Sequence, residues 1–263
     1  MLNSIFVSLR KLDRSRASQP WFGFGEFRPV TPRQAEQSFP SNACGDSARL
    51  LANIPLLPGA KAELDAARQL LGAPAKDQLL NAAFTAETVL KQSLKDYRIL
   101  HFATHALLPT DLPCLTEPAI VTSAPAGAPS AGGALLTASA VLGMDLDADT
   151  VILSACNTGG PSGGAAGESL SGLARSFFYA GARSLLVTHW SVNDRFNAYL
   201  VALTLDRVRS FPDRGLADAL AEAQRRILNE ATGSREAEAD PFFWAPVTLI
   251  GDGGGANFTK VAL

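Results

Sequence analysis

Apolar positions recur at helical spacing in residues 58–72, "PGAKAELDAARQLLG", where Leu64, Ala67, Leu70 and Leu71 share a face and Gly72 stops the run. The stretch 84–94, "FTAETVLKQSL", predicts a second helix with Thr85 as its N-cap. In "YRILHFATHA" (97–106) the pattern changes: Ile99, Leu100, Phe102 and Ala103 read as a buried strand, which polar Thr104 and His105 close. "EPAIVTS" (117–123) and "DTVILSA" (149–155) predict two further strands, and "LLTASAVLGMDL" (135–146) a short helix capped by Thr137. In "SLSGLARSFFYAG" (169–181), Leu170, Leu173, Phe177 and Phe178 line one helix face and Gly181 ends it. "ARSLLVTHW" (182–190) is a strand, 194–210 and 215–231 are amphipathic helices, and "PFFWAPVTLIGD" (241–252) closes as a strand. Residues 11–58 read as irregular, apart from an aromatic-rich candidate strand at 21–27. The glycine- and alanine-rich stretches 124–134 and 159–167 predict mobile loops.

Strands that alternate with helices specify an α/β fold with a mainly parallel sheet and helices on both faces. Ligands and chemistry in such sheets lie beyond the carboxyl ends of the strands. The strands 97–103 and 149–155 end in His105 and Cys156, so the pattern delivers an imidazole and a thiol to one edge. No internal repeat is visible.

Composition narrows the setting. The chain of 263 residues is 47% apolar and 18% charged, with net charge -2, and it has no polybasic stripe, which argues against nucleic acid as the main partner. Its longest apolar run is too short for a bilayer, and basic residues follow the N-terminal apolar run in the reverse of a secretory signal's order. These features point to the cytoplasm. Cys44, Cys114 and Cys156 are widely spaced, with no CxxC pair, and predict a reducing compartment and free thiols rather than a disulfide framework. No metal or cofactor is expected: His101 and His105 lack the helical H-E-x-x-H pattern, and the glycine-rich loop lacks the P-loop lysine.

A thiol attacks as its thiolate, and an adjacent histidine takes its proton or lowers its pKa. The developing oxyanion then needs preorganised N–H donors, which a glycine-rich loop such as "CNTGG" can offer. His105 lies 51 residues before Cys156, and in the caspase signature the histidine precedes the cysteine by about 50. "SACNTGG" fits that signature at Ala155 and Cys156 and departs from it at Ser154 and Asn157. Against this stand plainer readings. Cysteine is among the most buried residue types, and His105 alone could be a packed core histidine. His101 reads as structural, and His189 as packed beside Trp190. Cys44 and Cys114 carry no assigned role.

"RILHFATHALL", "EPAIV", "GGALLTASAVLGMDLDAD", "VILSACNTG", "GESLSGLARSFFYAGARSLLVTHWSVND" and "PFFWAPVTLIGD" together resemble the CHAT family of caspase-like cysteine peptidases, related in fold to caspases and separase. The resemblance runs from about residue 20 to 252. It implies a caspase-hemoglobinase-like fold, His105 as base and Cys156 as nucleophile. It also implies an oxyanion held by the amides of Cys156 and Ala106, where many relatives have glycine at the second position. "THWSVND" (188–194) would be an edge strand bordering the cleft, with Trp190 and Ser191 beside substrate. Asp194 would receive a basic P1 side chain; its plain alternative is a helix N-cap. Glu168, near a helix start, is a further candidate for substrate binding, or a carboxylate placed favourably by the helix dipole.

Relatives often carry tetratricopeptide repeats before this region, so residues 1–19 are expected to be a helix-like lead-in, the remnant of a longer domain, with 253–263 a tail. The implied function is a cysteine endopeptidase that cleaves a protein or peptide after a basic residue. An activating protein or repeat domain would switch it on in bacterial defence or cell death. The competing reading is a non-catalytic interaction module that keeps the fold.

Overall fold

A computed structural model describes residues 15–39, 41–126, 133–154, 166–189, 194–211, 213–231 and 240–253. In chain order its elements are β1 (Gln19–Gly25), α1 (Pro32–Ser38), α2 (Gly45–Ala52), α3 (Ala60–Leu70), β2 (Gln78–Leu80), α4 (Ala86–Lys91), β3 (Tyr97–Ala103), β4 (Ala106–Leu107), β5 (Ala119–Val121), β6 (Leu135–Thr137), α5 (Ala138–Leu142), β7 (Thr150–Leu153), α6 (Ala166–Ala180), β8 (Ser184–Thr188), α7 (Asp194–Ser210), α8 (Leu216–Ala231), α9 (Pro241–Trp244) and β9 (Val247–Gly251). The expected lead-in over 1–14, the tail from 254 onward and most of both glycine-rich loops lie outside the described residues.

The central sheet has the order β2-β1-β3-β7-β8-β9. Its pairings are parallel except for β9, which runs antiparallel to β8. Successive side chains of a strand point to opposite faces, and here both faces are covered. Ile99 and Ala103 of β3 join Trp21, Ile152 and Leu186 in a core with Leu64 of α3, Leu200 of α7 and Ile227 of α8. Leu100 and Phe102 join Phe24, Leu153 and Val187 in a second core with Phe177 of α6. Strands buried on both sides need no polar face, which is why Ile99, Leu100, Phe102 and Ala103 in β3 and Val151, Ile152 and Leu153 in β7 do not alternate with polar residues.

The local signals behave as their chemistry requires. Thr85 accepts from the Thr88 N–H and Thr137 from the Ala140 N–H, each satisfying a donor that a helix start leaves open. Gly181 adopts φ +116 to turn the chain after α6, and a Cβ there would sit 2.0 Å from the Leu146 carbonyl oxygen. The region 11–58 is more ordered than its pattern suggested. It holds β1, α1 and α2, with α1 started by a capping box between Thr31 and Gln34 and by Pro32 in the first turn. The signal was present in "TPRQ", but α1 has only 7 residues and no apolar stripe to announce it.

One expectation is corrected. Cys44 and Cys114 form a disulfide with Cα atoms 5.8 Å apart, so they are not free thiols. The pairing joins positions 70 residues apart, and spacing alone carries no trace of it. The expected edge strand 188–194 lies mostly outside the described residues, and β8, which leads into it, is an inner strand. β9 pairs along it from Ser184 to Thr188, and the His189 N–H continues the contact to the Pro246 carbonyl. A peptide therefore cannot extend the sheet along β8. No helix among the described residues is long and apolar enough to cross a membrane.

Candidate functional site

β3 and β7 are parallel neighbours, with His101 opposite Ile152 and Phe102 opposite Leu153. They finish at one edge, from which β3 leads to His105 and β7 to Ser154 and then Cys156. Cys156 itself lies outside the described residues, as do Trp190 and Ser191. Asp194 is the first residue of α7, beyond the same end of β8, and Glu168 falls in the first turn of α6; the placement of both side chains is outside the described set. The topology thus brings His105, Ala106 and the strand leading to Cys156 to one edge.

The chain at His105 is held from several directions. Thr104 is fully buried, and its hydroxyl donates to the Val121 carbonyl at 2.7 Å. The Val121 N–H donates to the His105 carbonyl at 2.8 Å. Ala106 then faces Ile120 in β5. That bond across the ladder makes Ala106 and Ile120 a non-hydrogen-bonded pair, which turns the Ala106 N–H away from β5.

The His105 side chain is 4% exposed and stands edge-on to Phe27, centroids 5.7 Å apart. Its Nε2 lies 2.8 Å from the Pro55 carbonyl oxygen. A carbonyl can only accept, so Nε2 carries the proton and Nδ1 holds the basic lone pair. No property of Pro55's side chain signals this. The contact uses a backbone oxygen 50 positions away in sequence.

A second buried set lies beneath, around His101, which is fully buried as its structural reading requires. The Trp21 Nε1–H donates to His101 Nδ1 at 3.4 Å, and His101 Nε2 donates to Glu63 Oε1 at 2.7 Å. Trp21 can only donate, which fixes this tautomer. The Ser154 hydroxyl donates to the same Glu63 oxygen. Glu63 is 3% exposed and Ser154 8%. A buried carboxylate is tolerable only when hydrogen-bonded in this way. Sequence reasoning missed Glu63, although a signal existed: Ala60, Glu63, Leu64 and Ala67 fall at i, i+3, i+4 and i+7, so a carboxylate occupies the helix's buried stripe.

His189 is exposed, and its Nε2 lies 2.6 Å from the Thr248 hydroxyl of β9. Among the described residues no cluster of histidine, cysteine and carboxylate side chains is arranged to hold a metal ion.

A cavity of about 280 Å³ opens at the same edge, beyond β1, β2 and β3, between residues 26–29 and 56–60. Its lip is made partly by Glu26 (φ 50) and Asn81 (φ 53), the two non-glycine residues in left-handed backbone among those described. Such conformations cost on the order of 1–3 kcal/mol and gather at functional sites. Comparison with known families matches the CHAT domain over residues 6–252. Comparison with curated proteins finds no match.

Proposed function

Because the chain belongs to the CHAT family, whose domains are related to caspase-like cysteine peptidases, we propose that it is a cysteine endopeptidase in which His105 is the base and Cys156 the nucleophile. The observation that carries this reading is the 2.8 Å contact between His105 Nε2 and the Pro55 carbonyl. It orients the ring and leaves Nδ1 as the basic nitrogen at the edge where β7 leads to Cys156.

In this mechanism Nδ1 takes the Cys156 thiol proton. The thiolate attacks the scissile carbonyl carbon, and the oxyanion that forms is met by the Ala106 and Cys156 N–H groups. The C–N bond breaks as the imidazolium returns its proton to the amine nitrogen, leaving a thioester. Water, deprotonated by the same imidazole, then attacks the thioester, releasing the acid and the free thiol. The Pro55 carbonyl stabilises the imidazolium, since a charge-assisted hydrogen bond is stronger than a neutral one.

The substrate is a protein or peptide with a basic residue before the scissile bond, received by Asp194, with Trp190, Ser191 and Glu168 beside it. An activating protein or repeat domain switches cleavage on. The test is a synthetic peptide library offered to the wild-type chain and to Cys156→Ala and His105→Gln. Cleavage by wild type that both substitutions abolish is the expected result; cleavage persisting in Cys156→Ala would refute the assignment. For Asp194→Asn, loss of a contact worth roughly 1.5–3 kcal/mol should lower kcat/KM for arginine peptides by about tenfold to a hundredfold. Asn caps a helix about as well as Asp, so undiminished cleavage would leave Asp194 as a cap alone.

A further inference from the structure

We infer that the cavity bounded by Phe27, Leu56, Leu57 and Pro58 is a subsite for one large apolar side chain of the substrate on the leaving-amine side of the scissile bond; the inference rests on the peptidase reading above. Position carries the first part. The parallel strands run in the order β2-β1-β3-β7. The cavity lies at the ends of β2, β1 and β3, His105 follows β3, and Cys156 follows β7. The acyl carbon bonds to Cys156, while the amine nitrogen takes its proton from His105. A substrate placed so has its acyl part toward β7 and β8 and its amine part running over His105 toward β1. Among the described residues, this concavity lies beyond the imidazole on that side. The two are contiguous: Leu56 follows the residue whose carbonyl holds Nε2, and Phe27 meets the ring edge.

Chemistry carries the second part. The walls are mainly apolar, yet Leu56 is 55% exposed, an arrangement that leaves apolar surface in water until something covers it. Glu26 and Arg28 at the rim carry opposite charges, so no single sign dominates. A volume of about 280 Å³ is below that of the usual small-molecule site, roughly 300–1,000 Å³, and suits one side chain.

The rim is also built to keep its shape. Asn81 Nδ2 donates to Glu26 Oε2 at 3.3 Å, joining the two left-handed residues. The buried Ser123 hydroxyl donates to the Asn81 carbonyl at 2.6 Å and accepts from the Arg28 N–H at 2.8 Å. Beneath them Gly25 has no room for a side chain, since a Cβ would lie 2.7 Å from Leu64 and 2.8 Å from the Ala103 oxygen.

The test uses the full chain and synthetic peptides with arginine before the scissile bond and each residue type in turn at the two positions after it. Wild type should favour leucine, phenylalanine or methionine over serine and aspartate at one of those positions by roughly tenfold or more in kcat/KM. In Leu56→Asp, at an exposed position that the fold tolerates, that ratio should collapse toward one; Leu57→Asp provides a second variant. Measuring a ratio within each protein removes any general loss of activity. A flat profile in wild type, or an unchanged ratio in both variants, would overturn the subsite while leaving the peptidase intact. If wild type cleaves nothing and its Cys156 alkylates with iodoacetamide no faster than an unfolded cysteine, the peptidase reading fails and the subsite with it.

Discussion

Removal of the Cys44–Cys114 bridge, as Cys44→Ser with Cys114→Ser, should lower stability by an amount that follows from loop length. The bond closes a loop of 70 residues. The chain-entropy relation then gives about 4.4 kcal/mol at 25 °C, toward the upper end of what such bonds contribute. For a chain of 263 residues, with unfolding entropy near 2.1 cal/mol/K per residue, this corresponds to a fall in Tm of about 8 °C. The assay is calorimetric melting in a Cys156→Ala background, which removes thiol exchange with the third cysteine. A companion experiment denatures the wild-type chain without reductant, alkylates it and weighs it. One modified cysteine is expected, and three would show that no bridge exists. With the bridge confirmed, a fall in Tm under about 2 °C would refute the loop-entropy argument. The bridge also bears on the site. The Cys114 N–H donates to the Ser47 hydroxyl at 3.1 Å, so α2 and the loop after β4 are fastened twice. Pro55 follows α2 and His105 precedes that loop. On the peptidase reading proposed above, the bridge variant should therefore lose activity below its melting range, through a looser His105–Pro55 contact.

The buried set beneath the site gives a second expectation. Glu63→Ala leaves the His101 N–H and the Ser154 hydroxyl without their acceptor, a loss of roughly 1–3 kcal/mol for each, whereas Glu63→Gln retains a carbonyl oxygen and should recover much of it in urea titrations. Burial pushes the Asp147 carboxyl up, but the Arg183 guanidinium at 2.6 Å, together with the Arg16 N–H, more than offsets this and holds it below the usual carboxylate range. A lowered folded-state pKa adds stability that is complete above the unfolded value near 3.9 and is lost as pH falls through the folded one. Arg183→Gln should therefore flatten the dependence of the urea midpoint on pH below about pH 4. Gly181→Ala combines φ +116 with a 2.0 Å approach to the Leu146 oxygen, and should yield a chain that melts far lower or fails to fold by circular dichroism.

How much of this was readable in advance depends on whether a feature leaves a periodic or a chemical mark. Helix α3 was legible because Leu64 and Ala67 repeat at helical spacing, and α4 and α5 because Thr85 and Thr137 are cap residues in the right place. The parallel order of β3 and β7, and with it the shared edge at which His105 and the end of β7 lie, followed from strands that are largely apolar on both faces. Helix α1 was missed because its evidence is a cap with no stripe behind it. Glu63 was hidden by the stripe itself, since a helix pattern is read from its apolar members and a lone carboxylate among them passes as surface.

The remaining features are not written in residue types at all. The bridge between Cys44 and Cys114 is a long-range pairing whose partners are chosen by the packing of α2 against the loop after β4. The covering of β8 by β9 depends on the chain returning antiparallel after α8, which a short apolar run such as "PVTLIG" does not specify. The Pro55 carbonyl is the extreme case. Every residue carries that oxygen, so nothing in "NIPLLPG" distinguishes the one that meets His105. What the sequence does contain is the reason that oxygen can be presented there. Proline restricts the backbone on either side of it, and residues 55–58 lie between α2 and α3 with no helical bond to claim the Pro55 oxygen. Substituting Pro55 by glycine should therefore leave the acceptor in place but loosen its position, lowering kcat more than it raises KM. Equal kcat in that variant would mean that the disulfide and Ser47, rather than the proline, hold the carbonyl against the imidazole.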